Sequence, residues 1–214
     1  MSGNGKVSHG ALMAVVQPGK MPEEFEVIGQ LYSKRGRNGV IYTSWRFPFE
    51  SGVEGETPHT TATNGMHQEL SMTPDNPEKF EFTSPDIVSG QLEPNPFLVS
   101  RCAGDSEKGT EWHDKYVFVF RLLGKSRENL RTVEKQDGPD EIIGPPVFME
   151  ASVLWQKMSE RGHPFHRAVL YRLIKRFACN NAAVRERYGF ILDEPYSQEL
   201  MKNREGPIRF DSDK

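Results

Sequence analysis

Residues 144–190 have the sequence GPPVFMEASVLWQKMSERGHPFHRAVLYRLIKRFACNNAAVRERYGF, which contains the strongest helical pattern in the chain. Pro145 and Pro146 suit the first turn of a helix, where the amide group that proline lacks has no partner to lose. Apolar side chains then recur at helical spacing, and they are Val147, Ala151, Leu154, Trp155 and Met158. Gly162 and Pro164 interrupt the pattern, so we expect one helix to end here and another to begin.

The second helix has a broad apolar face. Its members recur three and four residues apart and are Phe165, Val169, Leu170, Leu173, Ile174 and Phe177. The pair Asn180-Asn181 supplies a stop and a new cap, and a third short helix is expected from Ala182 to Tyr188, ending at Gly189. The pattern therefore predicts a C-terminal layer of two to three helices within residues 145–190.

The same stretch concentrates positive charge. Residues 161–187 hold seven Arg and Lys side chains against Glu186 alone, a local charge of +6 in a chain whose net charge is −3. Such a surface suits contact with phosphates, an acidic protein face or an anionic membrane. The alternative is a solvated helix face that pairs with the acidic remainder of the chain. The candidate binding surface comprises Arg167, Tyr171, Arg172, Lys175, Arg176, Arg185 and Arg187.

The first half of the chain has strand patterns. Apolar and polar residues alternate over Glu24–Ser33, and a β-branched and aromatic run follows over Val40–Phe47. Between them, Asn38-Gly39 is the pair that a tight hairpin turn favours, because both residues must adopt positive φ. We therefore expect a β-hairpin.

Three further runs predict strands: Lys79–Thr83, Phe97–Cys102 and Asp114–Leu123. The last is apolar on both faces, which indicates a central position in the sheet. Pro85, Pro94 and Pro96 keep the connections short, as in an antiparallel sheet rather than in βαβ units. We therefore predict an α+β fold, with a small antiparallel β-sheet or sandwich core followed by the helical layer.

This pattern also predicts how the chain is divided. Residues 1–21 are glycine-rich and predict a flexible N-terminal arm, and the Ser, Gly, Thr and Pro content of residues 49–78 predicts a long loop. The expected organisation is a flexible arm over 1–21, a single α+β domain over 22–194 with its β core at 22–124 and its helical part at 145–190, and a polar tail over 195–214.

The candidate chemistry is sparse. His59 and His67 lack neighbours in a metal-ligand pattern, so we expect no metal there. The pair His163-x-x-His166 lacks further ligands, so we expect it to have a capping or packing role, and we expect no cofactor. Cys102 could act as a nucleophile with His113 as its base and Asp105 or Asp114 as orienter. No glycine-rich phosphate-binding motif follows a strand.

Two cysteines are too few for a disulfide framework, and the apolar run from Ala11 to Val16 is too short for a signal-peptide core. Both observations favour an intracellular location, cytoplasmic or associated with a virion. They also leave both thiols unpaired in a reducing compartment.

Without a catalytic motif, the sequence favours a non-enzymatic structural or interaction protein. We expect a subunit of a larger assembly, either a cellular scaffold or a viral shell or matrix-type protein, whose partners are other protein subunits, including copies of itself. The alternative is a protein that binds RNA, other nucleic acid or an anionic lipid surface through the basic helices. A less favoured alternative is an enzyme that depends on Cys102 and His113.

Overall fold

The computed structural model describes residues 6–36, 39–72, 80–82, 85–88, 91–94, 96–104, 109–122, 140–194 and 208–209. The strands are β1 (Val7–Pro18), β2 (Phe25–Arg35), β3 (Ile41–Arg46), β4 (Phe49–Ser51), β5 (Phe80–Phe82), β6 (Pro85–Val88), β7 (Gln91–Pro94), β8 (Leu98–Ala103), β9 (Trp112–Leu122), β10 (Glu141–Ile143), β11 (Val147–Glu150) and β12 (Ile208–Arg209). The helices are α1 (Pro58–Leu70), α2 (Ala151–Arg161), α3 (Pro164–Cys179), α4 (Ala182–Arg187) and α5 (Gly189–Leu192). The α+β class is confirmed.

A mixed sheet organises the chain. Its strand order is β10-β2-β1-β9-β8-β12, with β3 and β11 paired to β2, β4 to β1, and β5 to β9. The central pair, β1 and β9, is parallel and runs in register from Val7 opposite Trp112 to Val16 opposite Arg121. The predicted antiparallel arrangement therefore applies to the other pairings of this sheet but not to its centre.

The N-terminal segment is the main correction to the predicted organisation. The stretch that we expected to be a flexible arm forms β1, and residues 11–16 are at most 2% exposed. Because both faces of this strand are covered, its sequence lacks the polar alternation that marks a half-buried strand.

The prediction of a long loop over residues 49–78 is also wrong for most of that range. It contains β4 and the thirteen-residue helix α1, whose buried face includes Ala62, Met66 and Leu70. Thr57 caps the helix by accepting a hydrogen bond from the backbone N–H of Thr60 at 3.1 Å. This cap, together with proline in the first turn, offsets a Thr- and Gly-rich composition that favours helix poorly.

The C-terminal helices follow the prediction with one shift. Residues 147–150 form β11 against β2 rather than the first turn of a helix, and Val147 is 43% exposed. The helix α2 begins at Ala151, where the Glu150 carboxylate accepts the N–H of Ser152. The predicted second and third helices are confirmed as α3 and α4.

Two hydrophobic cores cover the two faces of the sheet. On one face, α1 packs on β1 and β9 around Met13, Met66 and Phe118. On the other face, α2, α3 and the short helices pack on the same strands around Leu12, Val117 and Leu170. Alternate residues of β1 and β9 therefore enter different cores, which confirms the central position predicted for β9.

The predicted hairpin is present as β2 and β3, and Gly39 has a φ of 75° in its turn. Most of the predicted polar tail lies outside the described residues. Within the described part of the chain, no helix combines the length and apolar character needed to cross a membrane.

Candidate functional site

A connected set of polar side chains lies where the start of β1, the loop after β4 and the start of α1 meet. Alternation along β1 places His9 on the face that α1 covers and Ser8 on the opposite face. The helix approaches the strands closely because residue 65 is glycine. A Cβ atom there would lie 2.5 Å from Cε of Met13 and 2.8 Å from Cβ of Glu50.

His9, Thr61 and Glu56 form a hydrogen-bonded chain that we call the His9 relay. Nε2 of His9 lies 3.0 Å from the Thr61 hydroxyl, which donates to Oε2 of Glu56 at 3.0 Å. A hydroxyl has one hydrogen to donate. Because the carboxylate takes it, His9 is assigned as the donor at Nε2, which leaves Nδ1 as the unprotonated nitrogen.

The Glu56 carboxylate is held in place by several donors. Oε1 accepts from the side-chain amide of Asn64 at 2.9 Å, and Oε2 accepts from the backbone N–H of Val53 at 3.3 Å. Burial raises the pKa of Glu56, but the hydrogen bonds from Val53, Thr61 and Asn64 and the nearby His9 outweigh that effect and lower it. The carboxylate therefore stays ionised at a lower pH than an ordinary glutamate does.

The His9 ring is fixed on two further sides. It meets the Tyr116 ring edge-on, with centroids 6.3 Å apart. It also lies over Gly52, where a Cβ atom would come within 2.1 Å of Nε2. Any side chain at position 52 would therefore displace the imidazole from Thr61.

A bidentate ion pair flanks Tyr116 on the same sheet face. Nε and Nη2 of Arg101 donate to the two carboxylate oxygens of Asp114 at 2.6 and 2.7 Å. Burial raises the pKa of Tyr116, and the charge of Asp114 adds to that effect. The phenol is therefore neutral across the physiological pH range.

Cys102 and His113, the candidate nucleophile and base, lie on the opposite face of the sheet. Cys102 and His113 are direct cross-strand partners, but the thiol lies 3.5 Å from the backbone carbonyl of His113 while the imidazole Nδ1 lies 2.9 Å from the Ser8 hydroxyl. Asp114 points to the other face, and Asp105 lies outside the described residues. Cys102, His113 and Asp114 therefore do not form the set of nucleophile, base and orienting carboxylate that we considered.

The predicted basic surface is not continuous. Arg167 and Tyr171 are only 7% and 8% exposed, because this side of α3 faces α2 and α5 rather than solvent. Arg167 lies 3.6 Å from Glu194 and stacks over Trp155, so placing these two residues on a surface was wrong.

Acidic residues neutralise part of the remaining charge. Arg185 pairs with Asp193 at 2.7 Å, and Arg187 pairs with Glu24 at 2.8 Å. Arg172 is half-buried, whereas Lys175 and Arg176 are exposed. A binding role for the exposed members stays a prediction.

Some members of the predicted surface do meet at a pocket. A recess of about 400 Å³ lies between α3, α4 and α5. Its lining consists of Tyr171, Lys175, Ala178, Cys179, Arg185 and Leu192. Two cations, a thiol and an apolar floor therefore share one concave surface.

The histidine pair at the start of α3 has the capping and packing roles that the sequence predicts. Nδ1 of His163 accepts the backbone N–H of Phe165 at 3.2 Å, and Nδ1 of His166 accepts that of Phe47 at 3.1 Å. Across the described ranges, no group of three or more His, Cys, Asp or Glu side chains is placed to hold a metal ion.

Sequence reasoning missed every member of the His9 relay. The available signal was the sequence Glu56-Thr57-Pro58, which combines a capping threonine with a first-turn proline. It predicts a helix from Pro58, on which Thr61 and Asn64 are three residues apart and share a face.

The chain resembles known proteins only at the level of solved structures. No protein-family model and no curated protein sequence matches it. A Nudix hydrolase from M. smegmatis, RenU, is 16% identical, with 80% of this chain and 87% of that chain covered and a TM-score of 0.49. An Ap4A hydrolase from C. elegans is 10% identical, covering 79% and 98%, with a TM-score of 0.44. The dihydroneopterin triphosphate pyrophosphohydrolase of E. coli is 10% identical, covering 77% and 92%, with a TM-score of 0.41.

These three proteins are named as hydrolases, which contradicts our interpretation of the chain as a non-enzymatic structural or assembly protein. The same comparison contradicts the viral shell or matrix-type interpretation. Both had depended on the lack of a recognisable catalytic motif. A likeness of this degree assigns neither a substrate nor a site residue to the chain.

Proposed function

We propose that the protein is a hydrolase in which His9 acts as the general base. The observation that carries this proposal is the His9 relay, in which an imidazole is oriented by a hydroxyl that a carboxylate orients in turn. A base held by a third group in this way is the arrangement that activates a nucleophile in many hydrolytic sites. None of the described residues bonds Nδ1 of His9, so this nitrogen is the atom that would accept a proton.

The proton transfer in this proposal is simple. Nδ1 takes a proton from a water molecule as the water oxygen attacks the substrate, and the bond to the leaving group breaks. The imidazole is then positively charged, and the ionised Glu56 stabilises it through Thr61. The leaving group recovers the proton from Nδ1, which returns His9 to its starting state.

The test compares wild type with His9→Gln on a panel that includes Ap4A and dihydroneopterin triphosphate, the compounds in the names of two neighbours. We expect kcat to fall by roughly 10²-fold or more, since general base catalysis contributes about 10²–10⁴-fold. The matched control is His67→Gln, because His67 is exposed near the end of α1. It should retain wild-type kcat.

A second variant separates this role from a structural one. Glu56→Gln removes the carboxylate that orients Thr61 and His9, so kcat should fall while KM changes little. A His9→Gln enzyme with unchanged kcat would contradict the proposal. So would a wild-type protein that hydrolyses no member of the panel.

Two further expectations remain proposals. An intracellular location is supported by two cysteines that form no disulfide, Cys102 and Cys179. Association with other copies of the chain, with other protein subunits, with nucleic acid or with an anionic lipid stays a prediction.

A further inference from the structure

We propose that the recess between α3, α4 and α5 binds a small phosphate monoester, at a site distinct from the His9 relay. Its volume of about 400 Å³ lies within the range of roughly 300–1,000 Å³ that small-molecule sites occupy. Its lining divides into a cationic rim, Lys175 and Arg185, and an apolar floor that includes Ala178 and Leu192. A ligand with one anionic group and a compact apolar body suits both parts.

Lys175 and Arg185 both have N–H donors available to bind such a ligand. Lys175 is exposed, and among the described residues no carboxylate pairs with it. Arg185 uses Nη2 to bond Asp193 at 2.7 Å, and a guanidinium has five N–H donors, so others remain. The two side chains come from different helices and converge on the recess, whereas the neighbouring cation Arg176 does not line it.

A phosphate group suits the donors of the rim. It carries about −1.5 to −2 charges at neutral pH. Lys175 offers a positive charge that no described carboxylate pairs, and Arg185, whose charge Asp193 partly offsets, offers its remaining N–H donors. The phosphate oxygens also accept the divergent donors of a guanidinium and an ammonium group. The concave shape favours a small molecule over a flat macromolecular surface.

Cys179 provides a direct readout, because it is exposed and lines the recess. In a Cys102→Ser background the rate at which a maleimide reagent modifies Cys179 is measured against increasing phenyl phosphate. We expect the rate to fall to a plateau as the probe fills the recess. Inorganic phosphate should protect more weakly, since it lacks the apolar body.

Lys175→Gln should weaken the protection roughly tenfold, the change expected on losing one charged hydrogen bond. The matched control is Arg176→Gln, which removes the adjacent charge of α3 and should leave protection unchanged. Equal weakening in both variants would show general attraction rather than a site, and the proposal would fail. Protection by phosphatidic acid in phosphatidylcholine vesicles without protection by phenyl phosphate would also overturn it, in favour of a lipid surface.

Discussion

The Tyr188 hydroxyl donates to Oε1 of Glu150 at 2.6 Å and accepts the backbone N–H of Phe25 at 3.3 Å. Glu150 ends β11, and its other carboxylate oxygen caps α2 through the N–H of Ser152 at 3.0 Å. The phenol is fully buried. One side-chain pair therefore ties β2, the start of α2 and the junction between α4 and α5, which fixes the C-terminal helices against the sheet.

Tyr188→Phe should destabilise the protein by about 1–3 kcal/mol, because it leaves a half-buried carboxylate oxygen and a buried N–H without the hydroxyl as partner. The free energy of unfolding in urea measures this. The control is Tyr171→Phe, since the Tyr171 hydroxyl lies 3.4 Å from the carbonyl of Leu192 and makes at best a weak bond. Equal losses in the two variants would contradict the role assigned to the Glu150 pair.

Ionisation of Tyr188 should destabilise the protein at alkaline pH. Burial raises the pKa of Tyr188 above the ordinary value of 10.0, and the bond to Glu150 raises it further. The unfolded chain therefore loses this proton at lower pH than the folded protein. The stabilisation is complete below pH 10 and is lost as the pH rises toward the folded pKa.

Phenolate absorbance and urea unfolding followed together check this expectation. In wild type, one tyrosine should ionise only as the protein unfolds, and the free energy of unfolding should fall above pH 10. In Tyr188→Phe, the fall should be shallower. Full ionisation of every tyrosine in a protein that remains folded would contradict the prediction.

Replacing the buried Gln30 by an apolar residue should stabilise the protein. Its side chain is 0% exposed, and neither amide atom finds a hydrogen-bond partner among the described residues. A buried polar group without a partner costs about 1–3 kcal/mol. Gln30→Met keeps the length and removes both polar atoms, so we expect the free energy of unfolding to rise by roughly 1 kcal/mol.

The matched control is Gln17→Met, because the Gln17 amide is buried but donates to Glu26 at 2.6 Å. That variant should be destabilised. A loss of stability in Gln30→Met as large as that in Gln17→Met would show that a water molecule satisfies the Gln30 amide.

The elements that the sequence predicts well are those whose signal is local. The hairpin follows from Asn38-Gly39, and α3 follows from an apolar face repeated over several turns. The strand β1 lacks such a signal, because its parallel partner β9 lies about 105 residues away and both of its faces are covered. A short apolar run at a chain end has the same composition whether it is exposed or central.

The His9 relay was not predicted because both of its supporting elements were missed. His9 belongs to β1, while Thr61 belongs to α1, whose low helix propensity is offset by capping and by packing through Met66. The basic surface was wrong at Arg167 and Tyr171 for a related reason. A charge at helical spacing faces solvent only if no other element covers that side, and α5 covers it.

The stability of the protein should depend on the ionisation of Glu56, which lies in the loop after β4. Its folded pKa lies below the ordinary value of 4.5, because the hydrogen bonds from Val53, Thr61 and Asn64 outweigh burial. The stabilisation is therefore present above pH 4.5 and is lost as the pH falls through the folded pKa. Glu56→Gln should be less stable than wild type at neutral pH, and the gap should close in acid.

The control for this prediction is Glu54→Gln, since Glu54 is a carboxylate of the same loop whose side chain is 93% exposed. Its removal should change neither the free energy of unfolding nor its pH dependence. Unfolding in urea at a series of pH values from neutral to acid measures both variants against wild type. If the gap between wild type and Glu56→Gln stayed constant at all pH values, the loss would come from packing, and the carboxylate charge would have no part in holding Thr61 and His9 in place.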